Sequence, residues 1–217
     1  MTEPNFESMR RAMVSNQLRT NAVTDPEIVS AMGEVAREQF VPADRAEIAY
    51  LDKPVPLAAG RALNVPLATA RLLDALAVQK GEKVLVVGAA TGYSAALLGH
   101  VGANVVAVEE DAVLAEAARK ALSDVAGVKV ETGPLAQGWA AGAPYDAVLI
   151  DGAVDHVPQA ISDQLKDGGR IAAGLAERGV TRLASGRKAK GGVTLTAFVD
   201  SETIALPGFE APKAFAF

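Results

Sequence analysis

The chain has 217 residues, half of them apolar and 22% charged, with a formal net charge of −5. That length and apolar content suit one globular domain with a sizeable core, and the modest, dispersed acidity leaves no basic footprint for nucleic acid. There is no cysteine, and His100 and His156 are the only histidines, so disulfides, thiolate zinc sites, cysteine nucleophiles and histidine metal centres are not expected. No apolar run reaches the length of about 18 residues that a membrane span needs, so no membrane partner is expected. The acidic start lacks the basic and apolar regions of a signal peptide, which points to the cytoplasm.

Met9, Met13 and Leu18 give residues 6–19 a helical spacing that Asn21 ends. Thr24-Asp25-Pro26-Glu27 then opens a second helix: an oxygen-bearing cap, a proline suited to the first turn, and an acid at the positive end of the dipole. Ile28, Val29, Met32 and Val35 form its buried stripe, Phe40-Val41-Pro42 stops it, and a short helix follows over 46–50. Residues 51–66 hold Pro54, Pro56, Pro66 and Gly60 and are too broken for a long element. Helical spacing returns over 67–78. Residues 1–80 thus predict a helical extension that caps the sheet edge or covers the strand ends.

The next stretch carries the chemistry. Lys83-Val84-Leu85-Val86-Val87 is a short Val-rich run suited to a strand buried on both faces. It breaks at Gly88, and Gly92 follows at the mouth of a helix over 93–101. A second apolar run, 105–108, ends on Glu109, about 20 residues past the first glycine. Strand, glycine turn, helix and strand closing on an acid is the layout that places a carboxylate on ribose hydroxyls. Glycines let the backbone approach a ligand, and the helix start offers free N–H groups. The dinucleotide fingerprint is incomplete, with Ala90 at its middle position.

Alternation then continues: a helix over 111–122, a strand over 128–131, a loop over 133–142 with Trp139, and a strand over 145–151 that ends on Asp151. A helix over 157–165, a turn at Lys166-Asp167-Gly168-Gly169 and a strand over 170–175 follow. Residues 193–199 and 202–206 predict a closing hairpin around Asp200-Ser201. The pattern is that of a doubly wound α/β domain, with residues 81–217 as its core.

Several stretches resemble the protein-L-isoaspartate O-methyltransferase family: Met9-Arg10-Arg11-Ala12-Met13-Val14 with Gln17-Leu18, and Val35-Ala36-Arg37-Glu38-Gln39-Phe40-Val41-Pro42. Ala49-Tyr50, Gly60-Arg61-Ala62-Leu63-Asn64-Val65-Pro66, the Gly88 turn, Ala143-Pro144-Tyr145-Asp146 and Gln164-Leu165-Lys166-Asp167-Gly168-Gly169-Arg170 extend the similarity over nearly the whole chain. The resemblance implies a Rossmann-like S-adenosylmethionine-dependent methyltransferase sheet, with helices on both faces, the N-terminal extension and a reversed terminal strand. It implies S-adenosylmethionine as cofactor and isoaspartyl-containing proteins or peptides as partners, in protein repair. The carboxylate acceptor is already a nucleophile and the sulfonium already a good leaving group. Such an enzyme has only to align oxygen, methyl carbon and sulfur, without a general base. By the same resemblance Gly88, Ala90, Gly92, Glu109, Glu110 and Leu135 belong to the cofactor site, and Asn64 and Asp151 to the acceptor site.

This sequence departs from the family pattern at those positions. Asn64 stands where the family has serine, Ala90 where it has glycine, Val86 where an acid precedes the turn, and Gly133-Pro134-Leu135 where it has Gly-Asp-Gly. Asp151 replaces a threonine or small residue, and if it points into the site it repels a carboxylate substrate. A catalytically impaired family member that binds a protein or small ligand is therefore the alternative. Asp155-His156 reads as a catalytic pair or a solvated one, and Trp139 as an adenine wall or a packing residue. A short-chain reductase, suggested by Gly88-Ala89-Ala90-Thr91-Gly92, is excluded because Tyr50, Tyr93 and Tyr145 have no lysine four positions on.

Overall fold

Asn5 and Asp25 cap the first two helices in the computed structural model, which describes residues 4–177, 179–190 and 192–210. The Asn5 side chain accepts from the Ser8 N–H at the head of α1 (Phe6–Met13). The helical path then widens through Val14–Leu18, tightens through Arg19–Asn21 and stops at Ala22 in the left-handed region. Asp25 accepts from the N–H groups of Glu27 and Ile28 to cap α2 (Pro26–Glu34). This helix ends earlier than the Phe40-Val41-Pro42 stop, because Arg37–Phe40 and Ala43–Ile48 turn separately as 3-10 segments. The proline-broken stretch supplies a two-residue ladder of β1 (Val55–Pro56) and β2 (Ala62–Leu63), and α3 (Pro66–Leu76) follows.

The main sheet comprises β3 (Lys83–Val87), β4 (Asn104–Glu109), β5 (Val128–Thr132), β6 (Tyr145–Val154), β7 (Leu165–Glu177), β8 (Val180–Ala189) and β9 (Gly192–Asp200). Between them lie α4 (Tyr93–His100), α5 (Ala112–Ala121) and α6 (Gln159–Gln164). Spatial order is β5-β4-β3-β6-β7-β8-β9. The first five are parallel; β8 is the reversed strand and β9 runs antiparallel to it.

Here the hairpin expectation is corrected. β9 pairs with Val180–Ala189, and residues 202–206 are not a ladder strand but carry a single parallel bridge, Ala205 to Ala153. The Lys166–Gly169 turn is a bulge within β7, since Tyr145 pairs with Leu165 while Ala147 already pairs with Arg170.

Side chains alternate across the sheet and divide the core. Val84 and Val86 pack with the N-terminal helices and α4, whereas Leu85, Val87, Val148 and Ile150 pack with Ile161, Leu206 and Phe209. Strand order reverses at β3, with β4 on one side and β6 on the other, so the crevice of an open α/β sheet falls at their C-terminal ends.

Candidate functional site

Three strand tips meet at that crevice: Gly88 after β3, Glu109 at the end of β4, and Asp151 and Gly152 in β6. The turn is shaped by backbone geometry. Gly88 and Gly92 have φ of 81° and 98°, where an added Cβ would lie 2.9 Å from Leu206 methyls and 2.7 Å from Leu122 Cδ1 respectively. Ala90 also adopts a left-handed φ of 48°, a conformation that costs a non-glycine residue about 1 kcal/mol.

Glu109 is wholly buried and fully engaged. Arg61 Nη1 donates to its Oε1 at 2.7 Å. The same oxygen accepts from the Glu110 and Asp111 N–H groups, and Oε2 accepts from the Ala90 N–H at 2.7 Å. The Glu109 carboxylate thus gathers a guanidinium and three backbone amides as directed donors. Arg61, itself only 6% exposed, also donates through Nη2 to the Gly88 carbonyl at 3.2 Å, so it spans the turn and the acid. Its Nε is buried and has no hydrogen-bond partner among the described residues.

Asp151 sits in a different setting. Its Oδ2 accepts from Ser94 Oγ at 2.5 Å and its Oδ1 from Asn64 Nδ2 at 2.9 Å, both neutral donors. Desolvation raises its pKa above the usual carboxylate value, against the pull of those donors and of the nearby Arg37 and Arg61 charges. Asn64 faces both ways: its amide donates to Asp151, and its Oδ1 accepts from the Ile204 N–H at 2.9 Å. Its backbone carbonyl takes a 2.5 Å bond from Arg37 Nη2. Arg37 is completely buried, donates through Nε to the Ala49 carbonyl and lies 4.6 Å from the Tyr93 ring centroid. Burial lowers the Arg37 pKa and raises that of Tyr93, each opposed by the other's proximity.

The structure thus brings Asn64, Asp151, Gly88, Ala90, Gly92 and Glu109 together at one end of the sheet. Glu110 is exposed beside them, and its carboxylate reaches the Leu135 N–H at 3.5 Å, while the Leu135 side chain is buried in the core. Trp139 does not join the cleft. It packs on Gly133 and lines a groove of about 670 Å³ with Lys83, Asn104 and Val128, the first residues of β3, β4 and β5. Asp155 and His156 lie in the segment after β6. Sequence reasoning missed Arg61 as an ion-pair partner, and it missed Ser94, Arg37 and Leu206. Arg61 carried no local signal, because its partner is 48 residues away.

A family model described as protein-L-isoaspartate(D-aspartate) O-methyltransferase matches residues 8–205. A protein-L-isoaspartate O-methyltransferase of Methylorubrum populi is 43% identical over 166 residues, 76% of this chain and 78% of the relative. One of Koribacter versatilis is 36% identical over 201 residues, 92% of this chain and 90% of the relative. A solved protein-L-isoaspartate O-methyltransferase superposes with a TM-score of 0.80 at 24% identity, covering 92% of this chain and 66% of its own length. A Plasmodium falciparum chain described as a protein-L-isoaspartate O-methyltransferase, in complex with S-adenosyl-L-homocysteine, gives 0.74 at 18% identity, covering 94% of this chain and 99% of its own length. Both structural likenesses speak for the fold.

Proposed function

The chain belongs to the protein-L-isoaspartate(D-aspartate) O-methyltransferase family, and from that premise we propose that it is an S-adenosylmethionine-dependent carboxyl methyltransferase acting on isoaspartyl-containing proteins or peptides. The observation that carries this reading is the family match over residues 8–205, which spans the extension, the glycine turn and the acid-tipped β4. A role in protein repair and a cytoplasmic location complete it. Among the described residues no helix is long and apolar enough to cross a membrane.

The cofactor group itself does not fit the cleft in this conformation. Glu109, the residue placed to accept from a ribose diol, spends its acceptors on Arg61 and three backbone amides. Leu206 fills the space beside Gly88. On the acceptor side, Asn64 is the donor suited to an incoming carboxylate, and Asp151 now holds it. The neutral form of Asp151, which its desolvation favours, does not repel a second carboxylate. Acceptor binding at Asn64 should therefore weaken as pH rises through the raised pKa of Asp151, which a pH series of peptide affinity will read.

Calorimetric titration with S-adenosylhomocysteine, followed by methyl transfer to an isoaspartyl peptide, tests the proposal. Micromolar binding and turnover are the expected results. Glu109→Ala should weaken that binding by at least tenfold, and unchanged affinity would remove the ribose contact. The filled cleft favours a second reading, a family member that serves as a binding module; absence of binding at millimolar ligand together with absence of turnover would select it.

A further inference from the structure

Beyond β9 the chain leaves the sheet edge and returns to its middle. Ala153 N–H donates to the Ile204 carbonyl at 2.7 Å, and Leu206 N–H donates to the Ala153 carbonyl at 2.9 Å. Ile204 N–H donates to Asn64 Oδ1. Leu206 and Phe209 are 5% and 1% exposed and belong to the core cluster of Leu85, Val87 and Ile150. The sheet is cut away to admit this segment. A Cβ on Gly152 would meet the Ile204 carbonyl and Leu206 Cγ at 2.6 Å, and one on Gly174 would meet Thr203 Oγ1 at 2.4 Å.

Two side chains consequently stand over the glycine turn. Leu206 lies against Gly88 from the returning segment, and Arg61 Nη2 approaches the same Cβ position to 3.4 Å. One is apolar and one cationic, and the cation is bound to the acid at the β4 tip. Leu206 and Phe209 fall just past the residues that the family model matches, 8–205.

Resting on the reading of this cleft as the S-adenosylmethionine site, we propose that residues 203–209 form an intramolecular strap that, with Arg61, occupies the cofactor cleft and competes with the cofactor for it. Cofactor entry requires Leu206 to leave Gly88 and Arg61 to release Glu109. The strap is held by hydrogen bonds and apolar contacts, so its departure is reversible. The observed affinity is then the intrinsic affinity reduced by the fraction of molecules in which the strap is open.

The full chain, Leu206→Ala and Gly152→Ala would be titrated with S-adenosylhomocysteine by calorimetry, with amide hydrogen exchange followed at Ala153, Ile204 and Leu206. Gly152→Ala places a methyl against the strap without removing any strap side chain, and Gly152 does not occupy the left-handed region. It therefore covers the case in which Leu206→Ala fails to fold. Each folded variant should bind at least tenfold more tightly than the unmodified chain. In the unmodified chain, saturating ligand should speed exchange at Ala153 and Leu206. Equal affinity throughout with unchanged protection would overturn the strap and leave the methyltransferase reading standing. No binding by any folded form at millimolar ligand would overturn the strap as a competitor and the cofactor reading with it.

Discussion

The two ends of β6 each carry an aspartate and treat it in opposite ways. At the start of the strand, Asp146 bonds Lys166 and the Lys83 N–H, which lower its pKa. Near the far end, Asp151 has neutral side-chain donors and a desolvated surrounding that raises its pKa. The first belongs to the scaffold: a partly solvated acid that ties β6 to β3 and β7. The second is a charge kept at a disadvantage where the crevice lies, and such sites are where binding or chemistry is expected. Neighbouring Glu109, itself buried, differs in its partners: a guanidinium and three backbone amides donate to it.

Breaking the best-answered acid should have the largest effect. Arg61→Met leaves Glu109 enclosed without its cation and should lower stability by about 3 kcal/mol, measured by urea denaturation at neutral pH. A loss under about 1 kcal/mol would mean that the backbone amides suffice.

Asp151→Asn comes next, with the opposite sign. Because the folded pKa is raised, the penalty is absent below the ordinary carboxylate value and fully present above the raised one. Stability should therefore fall as pH climbs between them, and the asparagine variant should be the more stable at pH 8 by about 1 kcal/mol. The two proteins should converge in acid. A variant that is less stable at every pH would show that Ser94 and Asn64 need the charge.

Lys166→Ala should have the smallest effect. The lysine is 47% exposed, so solvent screening limits the loss to about 0.5 kcal/mol. Here the linkage runs the other way: Asp146's contribution is complete above the ordinary carboxylate value and is lost as pH falls through the depressed one. The difference between variant and parent should shrink in acid and in 1 M salt.

Much of the fold was legible because Val-rich runs bounded by glycine or an acid describe buried parallel strands. β3 and β4, with Glu109 at the tip, follow from that pattern alone. β8 was not legible. Val180–Ala189 buries little beyond Leu183 and Ala184 and carries Arg182, Arg187 and Lys188, so no apolar run marks it. Residues 202–206 misled in the opposite sense: Thr203, Ile204 and Leu206 look like a strand, but they pack one by one onto the cleft. Asn64, Asp151 and the turn, named through the family pattern, lie together at one end of the sheet. What filled the space between them depended on side chains reaching across 48 to 140 residues of sequence, which no local spacing encodes.

The bond from Ile204 to Asn64 also orders events in time. It joins residues 140 apart, and Ile204 and Leu206 rest on Ala153, Gly152 and Gly88, so their docking surface exists only after β3 and β6 have paired. Contacts of such separation, made on a surface that must already be paired, are expected to form late in folding. Substitutions at Leu206 should accordingly leave the refolding rate nearly untouched and hasten unfolding. The returning segment, residues 203–209, is then expected to dock last.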